Sequence, residues 1–134
     1  MAAAAARDVE AARTILIVED EHQICELLSE ILEGAGFDSH CVNSDKGAYS
    51  VLSAVRRYAA ILVDVNLGEG TTGFDVARFA RQMDAALPVV YVSGHASEAS
   101  FKAFGVPHSA FVTKPFTADQ LLTAVAGLVE AAGR

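Results

Sequence analysis

The chain has 134 residues, the length of a single domain, and 52% of them are hydrophobic, which is enough for a continuous core. Its formal net charge of −7 argues against nucleic acid as a partner, because a phosphate backbone requires a basic face. No apolar run approaches the ~20 residues that span a bilayer, and residues 1–6 lack the basic start of a secretory signal. We therefore expect a cytoplasmic protein with neither nucleic acid nor a membrane as a partner.

Apolar patterning predicts five strands that alternate with five helices. Residues 1–12 are rich in alanine and lack an apolar stripe, so we expect a flexible tail ahead of one domain at 13–134. Short runs of Val, Ile and aromatic residues predict the strands, and apolar residues three or four positions apart predict the helices. In chain order the predicted elements are strand 14–18, helix 21–35, strand 37–42, a helix capped by Ser44 or Asp45, strand 60–65, helix 74–83, strand 88–92, helix 96–104, strand 109–113 and helix 117–131.

The chain contains two cysteines, Cys25 and Cys41. Their spacing is not that of a CxxC pair, and no metal-binding motif accompanies them. Without such a motif a cysteine is most often a small, buried, hydrophobic residue. We therefore expect two reduced, buried thiols, as is usual in a cytoplasmic protein.

Polar residues stand at the ends of four predicted strands. They are Glu19 with Asp20, Asp64, Ser93 and Lys114. The regular alternation with short connections predicts an α/β fold, in which helices cover both faces of a parallel sheet. Because the carboxyl ends of parallel strands share one edge, three carboxylates, one hydroxyl and one ammonium should meet in a single crevice. Such a set suits a divalent cation together with a phosphoryl group.

The acidic residues after the first strand have two interpretations. A helix that begins with acidic residues is favoured by the helix dipole, and this alone explains Asp20 and Glu21. The other interpretation is a site for a hard cation such as Mg²⁺. Asp64 favours the second, because it ends the most apolar run of the chain and needs a cationic partner there. We expect both Lys114 and a metal ion to be that partner.

The hydroxyl and the ammonium are weaker indications when taken alone. Ser93 followed by Gly94 is also a common turn, and Lys114 before Pro115 is also typical of a surface lysine ahead of a helix. The Lys114–Pro115 bond is predicted to be a candidate cis peptide, since X-Pro bonds are where cis peptides occur.

Taken in order and spacing, these residues resemble a known family. Glu19-Asp20, Asp64, Ser93 and Lys114-Pro115-Phe116 are similar to the site of the receiver domain of two-component response regulators, and the similarity covers residues 14–131. The resemblance implies a flavodoxin-like (βα)5 three-layer sandwich with strand order 2-1-3-4-5. It also implies that Asp64 accepts a phosphoryl group from a phosphohistidine on a sensor histidine kinase or a histidine phosphotransfer protein.

The same resemblance implies roles for the other residues. Mg²⁺ or Mn²⁺ would be held by Glu19, Asp20, Asp64 and the backbone carbonyl of Asn66. Ser93 and Lys114 would bind the phosphoryl oxygens, and Ser93 would act with Phe111 as the switch.

The loop after the acceptor strand departs from the usual receiver pattern. Leu67-Gly68 stands where many receivers have Met-Pro, and Gly73 lies one position further along than usual. In this respect the chain resembles receivers that are paired with sensor kinases of the HWE/HisKA2 class. Asn66, Gly94 and His95 are predicted to control access to the phosphoryl group and its lifetime, with His95 orienting a hydrolytic water. A solvated histidine at a helix start is the plainer interpretation of His95.

The main functional hypothesis is a stand-alone, single-domain response regulator, since the chain stops soon after the fifth helix. It would signal by contact with an unknown downstream protein or act in a phosphorelay or as a phosphate sink, and it would not be an enzyme beyond an intrinsic autophosphatase activity. The alternatives are a phosphorylation-independent pseudo-receiver and, less favoured, an aspartyl-phosphate phosphatase, which would need a second Asp where Asn66 stands. We expect a monomer, with dimerisation on phosphorylation left open.

Overall fold

The fold is seen in a computed structural model that describes residues 13–54, 56–68 and 72–134. The predicted tail at 1–12 lies outside the described residues. The strands are β1 (Thr14–Val18), β2 (Asp38–Val42), β3 (Ala60–Val63), β4 (Val89–Gly94) and β5 (Ser109–Lys114). The helices are α1 (His22–Gly34), α2 (Asp45–Ser53), α3 (Gly73–Met83), α4 (Glu98–Phe104) and α5 (Ala118–Ala131), and a one-turn 3-10 helix (His95–Ser97) precedes α4. Within the described ranges, no helix is both long and apolar enough to cross a membrane.

The five strands form one parallel sheet in the order β2-β1-β3-β4-β5, which confirms the predicted fold class and strand order. β1 and β3 lie in the middle of the sheet, and every residue of both is buried. This is expected of parallel strands, because helices cover both faces of the sheet. β2 lies at one edge and is the most exposed strand of the five, as its polar sequence predicts.

Two hydrophobic clusters hold the sheet, one on each face. Successive side chains of a strand point to opposite faces, so Leu16 and Val18 enter the cluster beneath α2 and α3, whereas Ile15 and Ile17 enter the cluster beneath α1 and α5. The central strands are therefore packed from both sides up to their last residue. Polar residues that follow them directly are consequently held in defined positions at the edge of the sheet.

The end of β3 and the start of α4 differ from the predicted ones. β3 ends at Val63 rather than at Val65, because Val65 is buried beside α3 instead of continuing the sheet. Val65 is apolar because it is buried, although it pairs with no strand. The sequence therefore predicts a strand that is two residues too long. The helix predicted at 96–104 is divided into the 3-10 turn and α4. Ser44 caps α2 as predicted, and its side-chain oxygen accepts a hydrogen bond from the Gly47 amide at 3.0 Å.

The expectation of two reduced, buried thiols is wrong. Cys25 and Cys41 are joined in a disulfide, and although Cys25 is buried in α1, Cys41 is exposed on the edge strand β2. Their Cα atoms are 6.4 Å apart, within the usual range for a disulfide. The two cysteines are 16 residues apart in the sequence, so local chain geometry does not bring them together. The two cysteines meet because α1 folds back along the edge of the sheet.

Candidate functional site

The predicted site residues from four strands lie together at the carboxyl edge of the sheet. Glu19 follows β1 and is 2% exposed, and Asp64 follows β3 and is 7% exposed. Ser93 lies near the end of β4 and is buried, and Lys114 is the last residue of β5. Asp20 is the exposed member of the group. The convergence of side chains that the strand pattern predicts is therefore present.

Lys114 joins the two buried carboxylates. Its Nζ atom donates a hydrogen bond to Asp64 Oδ2 at 2.9 Å and another to Glu19 Oε2 at 3.1 Å. The Lys114–Pro115 peptide that follows is cis, as predicted. On the other side of the carboxylate, the backbone N–H of Asn66 donates a hydrogen bond to Asp64 Oδ1 at 3.0 Å. Both oxygens of Asp64 are thus held by hydrogen bonds, which fixes the plane of the carboxylate.

Three carboxylates at this edge are close enough to share a metal ion. One oxygen each from Glu19, Asp20 and Asp64 lies within 4.8 Å of the others. When all three are ionised, Lys114 neutralises one of the three negative charges and two remain. Carboxylate oxygens with room for water are the donor set that Mg²⁺ prefers, and Mn²⁺ accepts the same donors. The residues present therefore fit the divalent cation that the sequence predicts.

Burial and mutual repulsion shift the protonation of this group. Burial, followed by the charge of Asp64, raises the pKa of Glu19 from 4.5 to about 7, although Lys114 opposes the shift. Burial alone would lower the pKa of Lys114, but its hydrogen bonds and ion pairs with Asp64 and Glu19 outweigh burial and raise that pKa. Lys114 therefore remains an ammonium, and Glu19 keeps its proton up to a pH of about 7.

This shift predicts how stability depends on pH in the protein stripped of metal. Between pH 4.5 and about 7, folded Glu19 keeps a proton that the unfolded chain has lost. The contribution of Glu19 to stability is present below pH 4.5 and is lost as the pH rises through about 7. We expect this one group to lower the free energy of unfolding by about 3 kcal/mol between pH 4.5 and pH 8.

Urea unfolding in EDTA at several pH values measures the effect. Glu19→Gln should lose this part of the pH dependence and be more stable than the wild type at pH 8. Glu30→Gln, at an exposed position of α1, is the matched control and should follow the wild-type curve. Identical pH profiles for the two variants would contradict the prediction.

Ser93 belongs to a small hydroxyl network that includes one residue missed in the sequence. Asn66 Nδ2 donates to Ser93 Oγ at 3.3 Å, and Ser93 Oγ donates to Ser97 Oγ at 3.3 Å. Ser97 ends the 3-10 turn and is itself buried. The pattern gave no signal for Ser97, because it becomes a neighbour of Ser93 only through a turn that was predicted as part of a helix.

The residues predicted to control access lie at the mouth of the site. Asn66 and His95 are exposed, and a Cβ placed on Gly94 would find no atom within 4 Å. His95 Nδ1 lies 3.5 Å from Glu98 Oε2 in the following helical turn. This arrangement is that of the plainer interpretation, a solvated histidine at a helix start. A role for His95 in hydrolysis remains a prediction.

Phe111, the predicted aromatic switch, stands at one end of a row of rings. Its ring centroid lies 5.4 Å from that of Phe101, which lies 5.6 Å from Tyr91, which in turn lies 5.1 Å from Phe74. The row connects β5, α4, β4 and α3. Tyr91 pairs with Phe111 across the sheet, two residues before Ser93. Phe111 therefore packs beside the strand that carries Ser93, and its role as a switch stays a prediction.

Gly73, the first residue of α3, lies very close to the backbone that follows the acceptor strand. The Gly73 amide donates to the Val65 carbonyl at 2.9 Å, and a Cβ on Gly73 would lie 2.1 Å from the Asp64 carbonyl oxygen. Glycine at this position is therefore required by close approach of two backbone segments. Gly68 has φ +85, a conformation that glycine adopts without strain.

The fold and this site define a flavodoxin-like α/β domain with a carboxylate group at its sheet edge that fits a divalent cation. The model of the response regulator receiver domain matches residues 15–126, and the chain belongs to that family. Members of the family are phosphoacceptors of two-component systems, and phosphorylation and Mg²⁺ binding are typical of them. The predicted family membership is thereby confirmed.

Known proteins of the family align with most of the chain. The solved structure of a response regulator receiver protein from Sinorhizobium medicae WSM419 has a TM-score of 0.85 and 36% identity, and the match covers 89% of this chain and 95% of that one. TodT from Pseudomonas putida is 31% identical over 117 residues, 85% of this chain and 50% of TodT. NtrX from Azorhizobium caulinodans is 34% identical over 113 residues, 83% of this chain and 25% of NtrX. The chain thus spans half of TodT and a quarter of NtrX.

Proposed function

We propose that the chain is a single-domain response regulator in which Asp64 accepts a phosphoryl group from a phosphohistidine. The donor is a sensor histidine kinase or a histidine phosphotransfer protein, and the HWE/HisKA2 class is the favoured kinase type. The observation that carries the proposal is the fixed carboxylate of Asp64, which is held between the Lys114 ammonium at 2.9 Å and the Asn66 amide at 3.0 Å. A nucleophile held in one orientation is what an in-line transfer needs.

In the transfer, a carboxylate oxygen of Asp64 forms a bond to phosphorus while the bond from phosphorus to the histidine nitrogen breaks. The electron pair of the broken bond stays on the imidazole nitrogen. Lys114 offsets the negative charge that would otherwise repel the phosphoryl group. Glu19, Asp20, Asp64 and the Asn66 carbonyl would hold Mg²⁺ or Mn²⁺, which supplies further charge compensation when bound.

Phosphorylation at Asp64 would be transmitted through Ser93 and Phe111. The new phosphoryl oxygens attract the Ser93 hydroxyl, and movement of Ser93 vacates space into which the Phe111 ring turns. The exposed surface of α4, β5 and α5 changes as a result. A downstream protein reads that surface, or the group passes on in a phosphorelay. Asn66, Gly94 and His95 set the lifetime of the phosphoryl group by controlling how easily water reaches it. Hydrolysis by that water is the whole of the autophosphatase activity.

The remaining parts of the proposal concern the state of the protein in the cell. We propose a monomeric, cytoplasmic protein. Dimerisation on phosphorylation through α4 and α5 is the alternative to a monomer throughout.

The experiment is incubation with Mg²⁺ and acetyl phosphate, followed by intact mass measurement. We expect a mass gain of one phosphoryl group in the wild type and none in Asp64→Asn. Asp119→Asn, at an exposed position in the first turn of α5, is the control and should gain the group. Absence of an adduct in the wild type with acetyl phosphate and with phosphorylated kinases alike would leave the phosphorylation-independent module instead. Steady release of phosphate from added phosphoesters would identify a phosphatase.

A further inference from the structure

The switch hydroxyl has two partners before any phosphoryl group arrives. Ser93 Oγ is 1% exposed and lies 3.3 Å from Asn66 Nδ2 on one side and 3.3 Å from Ser97 Oγ on the other. Ser97 is 9% exposed, at the end of the 3-10 turn. Since water has little access to this pair, the hydroxyls must satisfy one another.

The two bonds differ in direction. The Asn66 side-chain nitrogen can only donate, so Ser93 Oγ is the acceptor in that contact. A serine hydroxyl has a single proton and can also accept, and we take Ser93 as the donor to Ser97 Oγ. The oxygens of a phosphoryl group on Asp64 would also be acceptors. With Ser93 as the donor, it cannot bind a phosphoryl oxygen without releasing Ser97.

We propose that Ser97 is a positioning residue that holds the Ser93 proton in the unphosphorylated protein and so weakens binding of the phosphoryl group. This inference rests on the proposed function of Asp64. The bond between the hydroxyls is longer than the usual 2.5–3.0 Å for O–H···O, so it holds Ser93 lightly and releases it readily. Ser97 acts only through Ser93, because Ser97 Oγ and a phosphoryl oxygen are alternative acceptors of the Ser93 proton.

Beryllofluoride with Mg²⁺, an analogue of the phosphoryl group, is the probe, and its affinity is measured by amide NMR titration of the full chain. We expect Ser97→Ala to bind it about fivefold more tightly than the wild type, the size of effect expected from one neutral hydrogen bond lost in the unbound state. Ser97→Thr keeps the hydroxyl and should bind like the wild type. Ser100→Ala, on the adjoining turn of α4, is the matched control.

A double-mutant cycle separates this role from simple packing. In a Ser93→Ala background the effect of Ser97→Ala should disappear, because no proton is left to hold. If Ser97→Ala does not fold, Ser97→Cys serves in its place, since a thiol is a poor acceptor and predicts the same direction.

Two results would overturn the inference alone. One is a wild-type protein that binds beryllofluoride with the same affinity as Ser97→Ala, and the other is an equal gain in affinity in the Ser93→Ala background. A wild type that binds no beryllofluoride overturns the proposed function, and the inference with it.

Discussion

Replacement of Lys114 by methionine is expected to lower the free energy of unfolding of the metal-free protein by about 3 kcal/mol at pH 8, because it removes one partner from a buried ion pair. Methionine preserves most of the length of the side chain and removes the charge. Asp64 and Glu19 would then face one another without the ammonium that now bonds to both, at 2.9 and 3.1 Å. The pKa of Glu19, already raised to about 7, should rise further.

The same substitution is expected to slow phosphorylation by acetyl phosphate about a hundredfold, because Lys114 is a preorganised source of positive charge at the reacting carboxylate. Mg²⁺ should stabilise Lys114→Met more than it stabilises the wild type, since the cation then offsets charge that the lysine no longer offsets. Urea unfolding with and without Mg²⁺, and the rate of adduct formation by mass, measure the two effects. Lys102→Met, at an exposed position of α4, is the control. Wild-type stability and rate in Lys114→Met would contradict this account.

Substitution of Gly73 by alanine is expected to cost about 3 kcal/mol of stability, a large value for the addition of one methyl group. The new Cβ would lie 2.1 Å from the Asp64 carbonyl oxygen and 2.9 Å from the Cα atom of Val65. Both neighbours are backbone atoms, so no side chain can rotate away. Either α3 or the segment after β3 must move, and that segment carries the acceptor carboxylate.

Chemical unfolding and Mg²⁺ titration of Gly73→Ala measure this effect. We expect weaker Mg²⁺ binding together with the lower stability, because Asp64 is displaced with its backbone. Gly127→Ala is a stringent control, since Gly127 lies inside α5 with no atom within 4 Å of a new Cβ. That variant should be neutral or stabilised by up to about 1 kcal/mol, the cost of glycine in a helix. Equal losses in both variants would show that close approach to Asp64 is not the cause.

The part of the site that sequence could predict is the part that parallel strands determine. Strand ends in a doubly covered sheet meet at one edge, so Glu19, Asp64 and Lys114 converge wherever the loops between them run. The Lys114–Pro115 bond could be named as a candidate because cis peptides occur almost only before proline, but the bonds before Pro88 and Pro107 are not cis, so proline alone does not decide the isomer. These are properties of the local chain combined with a topology that alternation of strands and helices determines.

The parts that sequence could not predict depend on contacts between distant segments. Ser97 becomes a partner of Ser93 through a 3-10 turn. The spacing of apolar residues does not distinguish such a turn from the start of an α-helix. Val65 is buried against α3 and so resembles a strand residue in the sequence. The Cys25–Cys41 bond requires α1 to lie along β2, and the spacing of the cysteines in the chain contains no trace of that.

The Cys25–Cys41 bond has a consequence for how the molecule opens locally. β2 is an edge strand with one neighbour, and in most sheets such a strand detaches on its own more easily than any other element. Here it is covalently attached to α1, and the Val42 carbonyl at its end accepts a hydrogen bond from the Glu19 amide at 3.1 Å. In the oxidised protein β2 and α1 therefore open together or not at all, as one cooperative unit that includes the start of the acidic loop. In the dithiol the strand can fray alone. The pattern of amide hydrogen exchange in β2 and α1 should therefore differ between the oxidised and the reduced protein.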